Sequence, residues 1–345
     1  MKLIDAINQK NQSTPPIWMM RQAGRYHTHY QALKRQHSFE ELCKKPELAC
    51  EVTMGPIRDF DFDAAILFSD LLFPLEVLGM GLKYAPGPQF DHLLRSKDDI
   101  LRALEHRPSA SQLSYQGEAC TLIRKVLPSE KALIGFVGSP WTLFVYAVEG
   151  THSTDPELAK QFLNDGSFKL FSEFMARFLG DNMALQADAG ADCVAIFDTS
   201  AGALSPAQWE SFLIPALTLQ IEQFRKAHPN TPVIYYSKDT GSEHWKLLSN
   251  LDVQCMGIDW KHSLPKVLLE YQGVRAIQGN FDPNLLTRPW SSIESDVNHY
   301  FESIAALPAE ARMGWISGLG HGVLKTTPEE NVRAFIKRCR EVFGE

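Results

Sequence analysis

Arg21 and Arg25 are the residues of this chain best suited to chemistry. They end an apolar run, Pro16-Ile-Trp-Met-Met-Arg-Gln-Ala-Gly-Arg25, with only Gln22 and the small residues Ala23 and Gly24 between them. Small residues let the backbone turn and present N–H groups, while two guanidiniums offer planar forks for carboxylate or phosphate oxygens. The pattern describes an anion site; the plain alternative is a solvated basic turn. Further polar groups follow other apolar runs: Asp70, Ser139, Asp198 with Thr199, Ser237 with Lys238 and Asp239, Asp259, Asn280 and Asp282, and His321 between Gly320 and Gly322. A histidine flanked by glycines fits a backbone that approaches a ligand closely. Several of these have ordinary structural readings as well. Ser139-Pro140 and Asp282-Pro283 look like helix starts, and Asp70 could be a turn or cap residue. Tyr146 lies in the helix expected after Ser139, facing either the site or the packing beneath it.

The elements that must position these groups alternate in type. Short apolar or β-branched runs occur at Ile17–Met20, Ala64–Phe68, Leu133–Val137, Val194–Phe197, Val233–Tyr236, Met256–Asp259, Ala276–Gln278 and Gly314–Ile316. Helical patterns lie at Pro46–Phe60, Ser109–Leu127, Ser167–Ala189, Pro206–Ala227, Ser242–Leu251, Leu264–Tyr271, Ser291–Ala305 and Pro328–Phe343. Roughly eight strand–helix units with short connections predict an α/β fold, a single (β/α)8 barrel over 1–345, in which chemistry gathers at the C-terminal strand ends. An open doubly wound sheet is the competing architecture, but no glycine-rich nucleotide or phosphate loop is present to support it. The polar stretch Tyr84–Asp99 reads as an inserted hairpin or lid.

Composition narrows the partners. With 44% hydrophobic and 22% charged residues and a net charge of −7, the chain is globular, and an anionic ligand must be held by local basic groups. Nucleic acid and acidic membrane partners are not expected. No signal segment or bilayer-length apolar run is apparent, so a cytoplasmic location is the expectation. The six cysteines, Cys43, Cys50, Cys120, Cys193, Cys255 and Cys339, have no metal-ligand spacing, and the eleven histidines are dispersed. Neither disulfides nor a metal centre is expected.

Together the segments PIWMMRQAGRY, ELACEVTMGPIRDFDFDAAILFSDLL, GFVGSPWTLFVYAVEG, FDTSAGAL, GIDW, IQGNFDP and GLGHGV, in that order from Pro16 to Pro328, resemble the uroporphyrinogen decarboxylase family. The resemblance implies a homodimer of distorted (β/α)8 barrels in porphyrin and haem biosynthesis. Such an enzyme is a carboxy-lyase that needs no cofactor or metal. It converts the four acetate side chains of uroporphyrinogen III to methyls, giving coproporphyrinogen III. By motif, the resemblance implies that Asp70 accepts pyrrole N–H groups and stabilises positive charge on a ring, and that Arg21 assists at a reacting carboxylate. It further implies that Gln22, Arg25, Tyr146, Thr199 and His321 bind the tetrapyrrole.

Departures from the family pattern fall at His27-Thr28-His29, Lys34, Val137, Ser200-Ala201 and Lys238-Asp-Thr-Gly241, and bear on pocket shape. Two rival readings remain. Methyltransferases that resemble the family bind zinc through a His-x-Cys motif after the fifth strand, where this chain has Tyr236-Ser237-Lys238, which provides no ligand set. A tetrapyrrole-binding protein without catalysis is the other; retention of Asp70 weighs against it.

Overall fold

A computed structural model of the chain describes residues 1–10, 14–85, 87–105 and 107–344. The strands are β1 (Ala64–Ile66), β2 (Leu82–Tyr84), β3 (Pro88–Phe90), β4 (Ala132–Gly138), β5 (Cys193–Asp198), β6 (Val233–Ser237), β7 (Cys255–Gly257), β8 (Ala276–Gln278) and β9 (Trp315–Ile316). Seven of them, β1, β4, β5, β6, β7, β8 and β9, pair in that order in one parallel sheet, and helices fill the crossovers. The runs β4, β5 and β6 are apolar up to Asp198 and Ser237 at the ends of β5 and β6, because a parallel strand covered on both faces has no solvent side.

Alternation along the strands divides the interior. Ala132 and Ile134, Cys193, Ala195 and Phe197, and Ile234 and Tyr236 face an inner cluster. Leu3, Ala6 and Ile7 of the short helix Lys2–Ile7 and Trp18 and Met20 complete that cluster. The intervening residues, among them Leu133, Val194, Ile196, Val233 and Tyr235, face the surrounding helices in a larger core. A curled sheet thus encloses one core and is wrapped by another.

Ile17–Met20 departs from the expected strand. It forms a single parallel bridge, Ile17 to Ser317 beyond β9, while the Ile17 carbonyl accepts from the Asp63 N–H at 2.9 Å just before β1. The Asp63 carboxylate takes the Ile17 N–H at 2.8 Å. The segment therefore lies between the two edges of the sheet without joining a ladder, because its chain turns away at Arg21, whose φ is +61°. The long helical pattern from Pro206 is also interrupted: Trp209–Leu213 is a π turn leading into Ile214–Arg225. Pro215 at the second position of that helix has no N–H to donate, and the widened turn accommodates it. The insertion after the second helix does form a hairpin, β2 antiparallel to β3, with Pro86 outside the described residues. All six cysteines are free thiols.

Candidate active site

The groups singled out in the sequence meet at the C-terminal ends of the parallel strands. Arg21 enters from the loop after Trp18 and Met20. Its side chain lies flat on Gly322, where a Cβ would come within 2.5 Å of the Arg21 Cδ, so only glycine admits the guanidinium at this point. The loop itself is braced by Gln22. That side chain is 1% exposed, donates to the Ala64 carbonyl at 3.0 Å and accepts from the Met19 N–H at 3.3 Å. Gln22 is thus turned inward and shapes the loop, while Arg25 is exposed, as Arg21 is, and its charge acts on Tyr30.

Asp70 follows β1 in a tight turn, its Oδ1 accepting the Leu72 N–H at 2.9 Å, so its turn role and its place in the site coexist. Burial pushes its carboxyl up to about 6, against the lowering effects of the Leu72 N–H, Tyr84 and Arg21. Tyr84, at the end of β2, brings a buried hydroxyl with no partner at hydrogen-bond distance close enough to act on Asp70. Tyr146 sits on the helix Pro140–Glu149, which Ser139 caps by accepting the Thr142 N–H at 3.0 Å. Burial and the Asp70 charge raise its hydroxyl to about 12, opposed by Arg21, so it is a neutral donor at any ordinary pH.

His321 closes the mouth from the glycine loop after β9. Its Nδ1 accepts the Gly322 N–H at 2.6 Å, leaving the proton of the neutral ring on Nε2. The ring packs near Trp260 and Tyr236 with centroids 6.5 and 6.0 Å away, and Tyr236 donates to the Gly320 carbonyl at 2.8 Å. Burial, then Arg21, Lys238 and His152, depress its pKa to about 3, with Asp239 opposing. At neutral pH His321 is therefore an N–H donor and not a cation. Thr199, half-buried one residue past β5, offers its backbone to His152, whose ring lies edge-on to Tyr146 at 6.3 Å.

A separate carboxylate lies behind this mouth. Asp198 is fully buried on the outer face of β5, where Thr142 and Tyr235 donate to it at 2.6 and 2.9 Å. Burial raises its pKa to about 6 despite those bonds. It ties the helix bearing Tyr146 to β5 and β6. Among the described residues no group of three or more His, Cys, Asp or Glu side chains is placed to hold a metal ion.

Residues 1–342 match the family described as uroporphyrinogen decarboxylase. The chain belongs to the uroporphyrinogen decarboxylase family. Curated relatives with that name include one from Gloeobacter violaceus, 34% identical over 350 residues, spanning 99% of this chain and 97% of the relative. Another, from Geotalea daltonii, is 37% identical over 333 residues, spanning 96% of this chain and 95% of its own length. Among solved structures, a methyltransferase from Methanosarcina mazei superimposes with a TM-score of 0.72 over 99% of this chain and 97% of its own. At 17% identity that likeness concerns the fold alone.

Of the residues the family motifs single out, the structure gathers Arg21, Asp70, Tyr146, Thr199 and His321, and turns Gln22 inward beneath the loop. Sequence reasoning missed Tyr84, His152 and the extent to which Lys238 belongs to the group. Lys238 carried a signal, since it continues the inward alternation of β6. Tyr84 opened the stretch that reads as a hairpin or lid, and His152 had no signal, because it lies in a loop that only folding brings over the sheet.

Proposed function

We propose that this protein decarboxylates uroporphyrinogen III, removing carbon dioxide from its four acetate side chains to give coproporphyrinogen III in porphyrin and haem biosynthesis. The observation that carries the reading, beside family membership, is a desolvated carboxylate, Asp70, facing a mouth lined by Arg21 and the neutral donors Tyr146 and His321. A macrocycle with central pyrrole N–H groups and a carboxylate rim is complementary to an acceptor surrounded by cations and donors. At neutral pH Asp70 is ionised, and accepts pyrrole N–H bonds. Protonation at a pyrrole carbon makes the ring cationic, and the fixed Asp70 charge stabilises that cation as it forms. The C–C bond to the acetate carboxylate then breaks, its electron pair returning to the ring, the exocyclic carbon takes a proton to become methyl, and the ring carbon gives up the proton it took first, which restores the neutral pyrrole. Per acetate, one proton is consumed and one carbon dioxide released. Arg21 orients the reacting carboxylate, Arg25, Thr199 and Tyr146 hold others, and Gln22 keeps the Arg21 loop in shape.

The same reading makes 1–345 one catalytic domain, a (β/α)8 barrel in which the segment from Pro16 stands in the eighth strand position. It also makes the protein a cytoplasmic homodimer that works without a cofactor. The absence, among the described residues, of a helix long and apolar enough to cross a membrane is compatible with that location. Anaerobic incubation with uroporphyrinogen III, then oxidation and chromatographic counting of carboxylates, tests the activity. Stepwise loss to the four-carboxylate product by wild type, and not by Asp70→Asn, is expected. Unchanged eight-carboxylate material from folded wild type would sink the reading in favour of a binding protein. Sedimentation equilibrium at micromolar concentration tests the dimer.

A further inference from the structure

Lys238 has no part in the chemistry just described, yet strand register turns it into the same mouth. Ile234 and Tyr236 of β6 face the inner cluster, and the two-residue period directs Lys238, one step past Ser237, to the same side. Phe197 pairs with Tyr236 and Asp198 with Ser237, so the next step sets Lys238 beside Thr199. The lysine backbone is pinned: its carbonyl accepts the Gly202 N–H at 3.1 Å, and a Cβ on Gly202 would approach that oxygen to 2.6 Å. Its side chain is 18% exposed, so the ammonium is sheltered from bulk solvent.

Lys238 shares its carboxylate partner. Asp239 is its ion-pair partner at 3.3 Å but is shared with Lys261, so one carboxylate answers two ammonium groups. On the inner side burial is the first cause that lowers the pKa of His152 and of His321, and Lys238 and Arg21 both add to it, with Asp239 opposing. Tyr146 and Tyr236 face the same space as neutral hydroxyls, the latter also under the influence of Asp259. On this inner side Lys238 and Arg21 present two cations within reach of the same imidazoles, and an anion entering between them is attracted to both.

We propose that Lys238 and His152 form a second carboxylate-binding pole beside Arg21, gripping a side-chain carboxylate of the acidic macrocycle. The inference rests on the decarboxylase reading for its ligand, although any polycarboxylate macrocycle of that shape satisfies the pole. A carboxylate entering there offsets the Lys238 and Arg21 charges, which favours the protonated form of His152, the imidazole that remains exposed.

Uroporphyrin III, the oxidised macrocycle with the same carboxylates, is a probe of binding separate from turnover. Its Kd is measured by fluorescence for wild type, Lys238→Met, Lys238→Arg and His152→Ala. Proton uptake is measured from binding heats in buffers of different ionisation enthalpy, and KM and kcat with uroporphyrinogen III. Lys238→Met is expected to raise Kd and KM about tenfold with a smaller change in kcat, Lys238→Arg to restore most of the loss, and His152→Ala to weaken binding and reduce proton uptake. A Lys238→Met protein with wild-type Kd and KM overturns the pole, as does an Arg variant as weak as Met. If the Met variant does not fold, His152→Ala with unchanged Kd and proton uptake overturns it instead. Wild type that binds the probe, loses affinity on Lys238→Met and releases no carbon dioxide supports the pole and removes the decarboxylase reading. Active wild type with an indistinguishable Met variant does the reverse.

Discussion

Replacing Asp70 by Asn should make the protein more stable and nearly inactive. Burial raises the Asp70 carboxyl from 3.8 to about 6, so the folded state binds a proton more tightly than the unfolded chain. For an acid whose folded pKa is raised, the stabilising contribution is present below the unfolded value and is lost as pH rises through the folded one. A shift of this size corresponds to about 3 kcal/mol of destabilisation at pH 7.5 and about 1 kcal/mol at pH 4.5. Asparagine keeps an Oδ1 to accept the Leu72 N–H and carries no charge to desolvate, so it escapes most of that cost. Because the carboxylate is only half-buried and retains Arg21 and Tyr84 nearby, 3 kcal/mol is an upper limit. Urea unfolding at the two pH values, with turnover measured on the same preparations, reads both effects. We expect a gain of roughly 1–3 kcal/mol at pH 7.5 that shrinks at pH 4.5, and a fall in turnover of about 10²–10³-fold from loss of the fixed charge. An Asn variant less stable than wild type at pH 7.5, or a gain that does not change with pH, would refute the desolvated-carboxylate reasoning.

The remaining expectations use neighbouring parts of the same mouth. His321 has the opposite sign: its pKa is depressed from 6.5 to about 3, so it contributes stability above pH 6.5 that is lost on acidification. Between pH 7.5 and 5, wild type should lose about 2 kcal/mol more than His321→Gln in urea titrations, and parallel curves would contradict this. A Cβ at Gly322 meets the flexible Arg21 side chain at 2.5 Å, whereas at Gly320 it meets the Trp260 backbone N at 2.4 Å. Gly322→Ala should therefore lower kcat/KM by about tenfold with little change in melting temperature, while Gly320→Ala should cost at least about 1–3 kcal/mol of stability. Equal thermal shifts in the two would count against the assignment of Arg21. Tyr84→Phe removes a hydroxyl that lowers the Asp70 pKa, so the acid limb of the kcat/KM profile should move to higher pH. An unmoved limb would separate Tyr84 from Asp70.

Local pattern was enough for most of the framework. Ala276–Gln278 and Pro46–Phe60 have the bounds their periodicity predicts, and Ser139-Pro140 starts a helix because a side-chain acceptor followed by a residue lacking an N–H suits that position wherever it occurs. The family motifs singled out Arg21, Gln22, Arg25, Asp70, Tyr146, Thr199 and His321 as one set. Long-range geometry decided the rest. The strand character of Ile17–Met20 depended on the two sheet edges it lies between, and it was reduced to one bridge by the left-handed turn at Arg21. Whether Gln22 and Arg25 faced the mouth depended on where that turn sent the chain. Tyr84 reached Asp70 only because the β2–β3 hairpin folds over the strand ends, and His152 reached Thr199 only after the helix bearing Tyr146 had docked on β5 through Asp198. The protonation states of Asp70 and His321 were equally beyond the sequence, because each reflects the burial and charge contributed by residues far apart in the chain. Sequence alone determined which elements form and which residue types are available; the curvature and register of the sheet determined which of those residues meet, and in what state of charge.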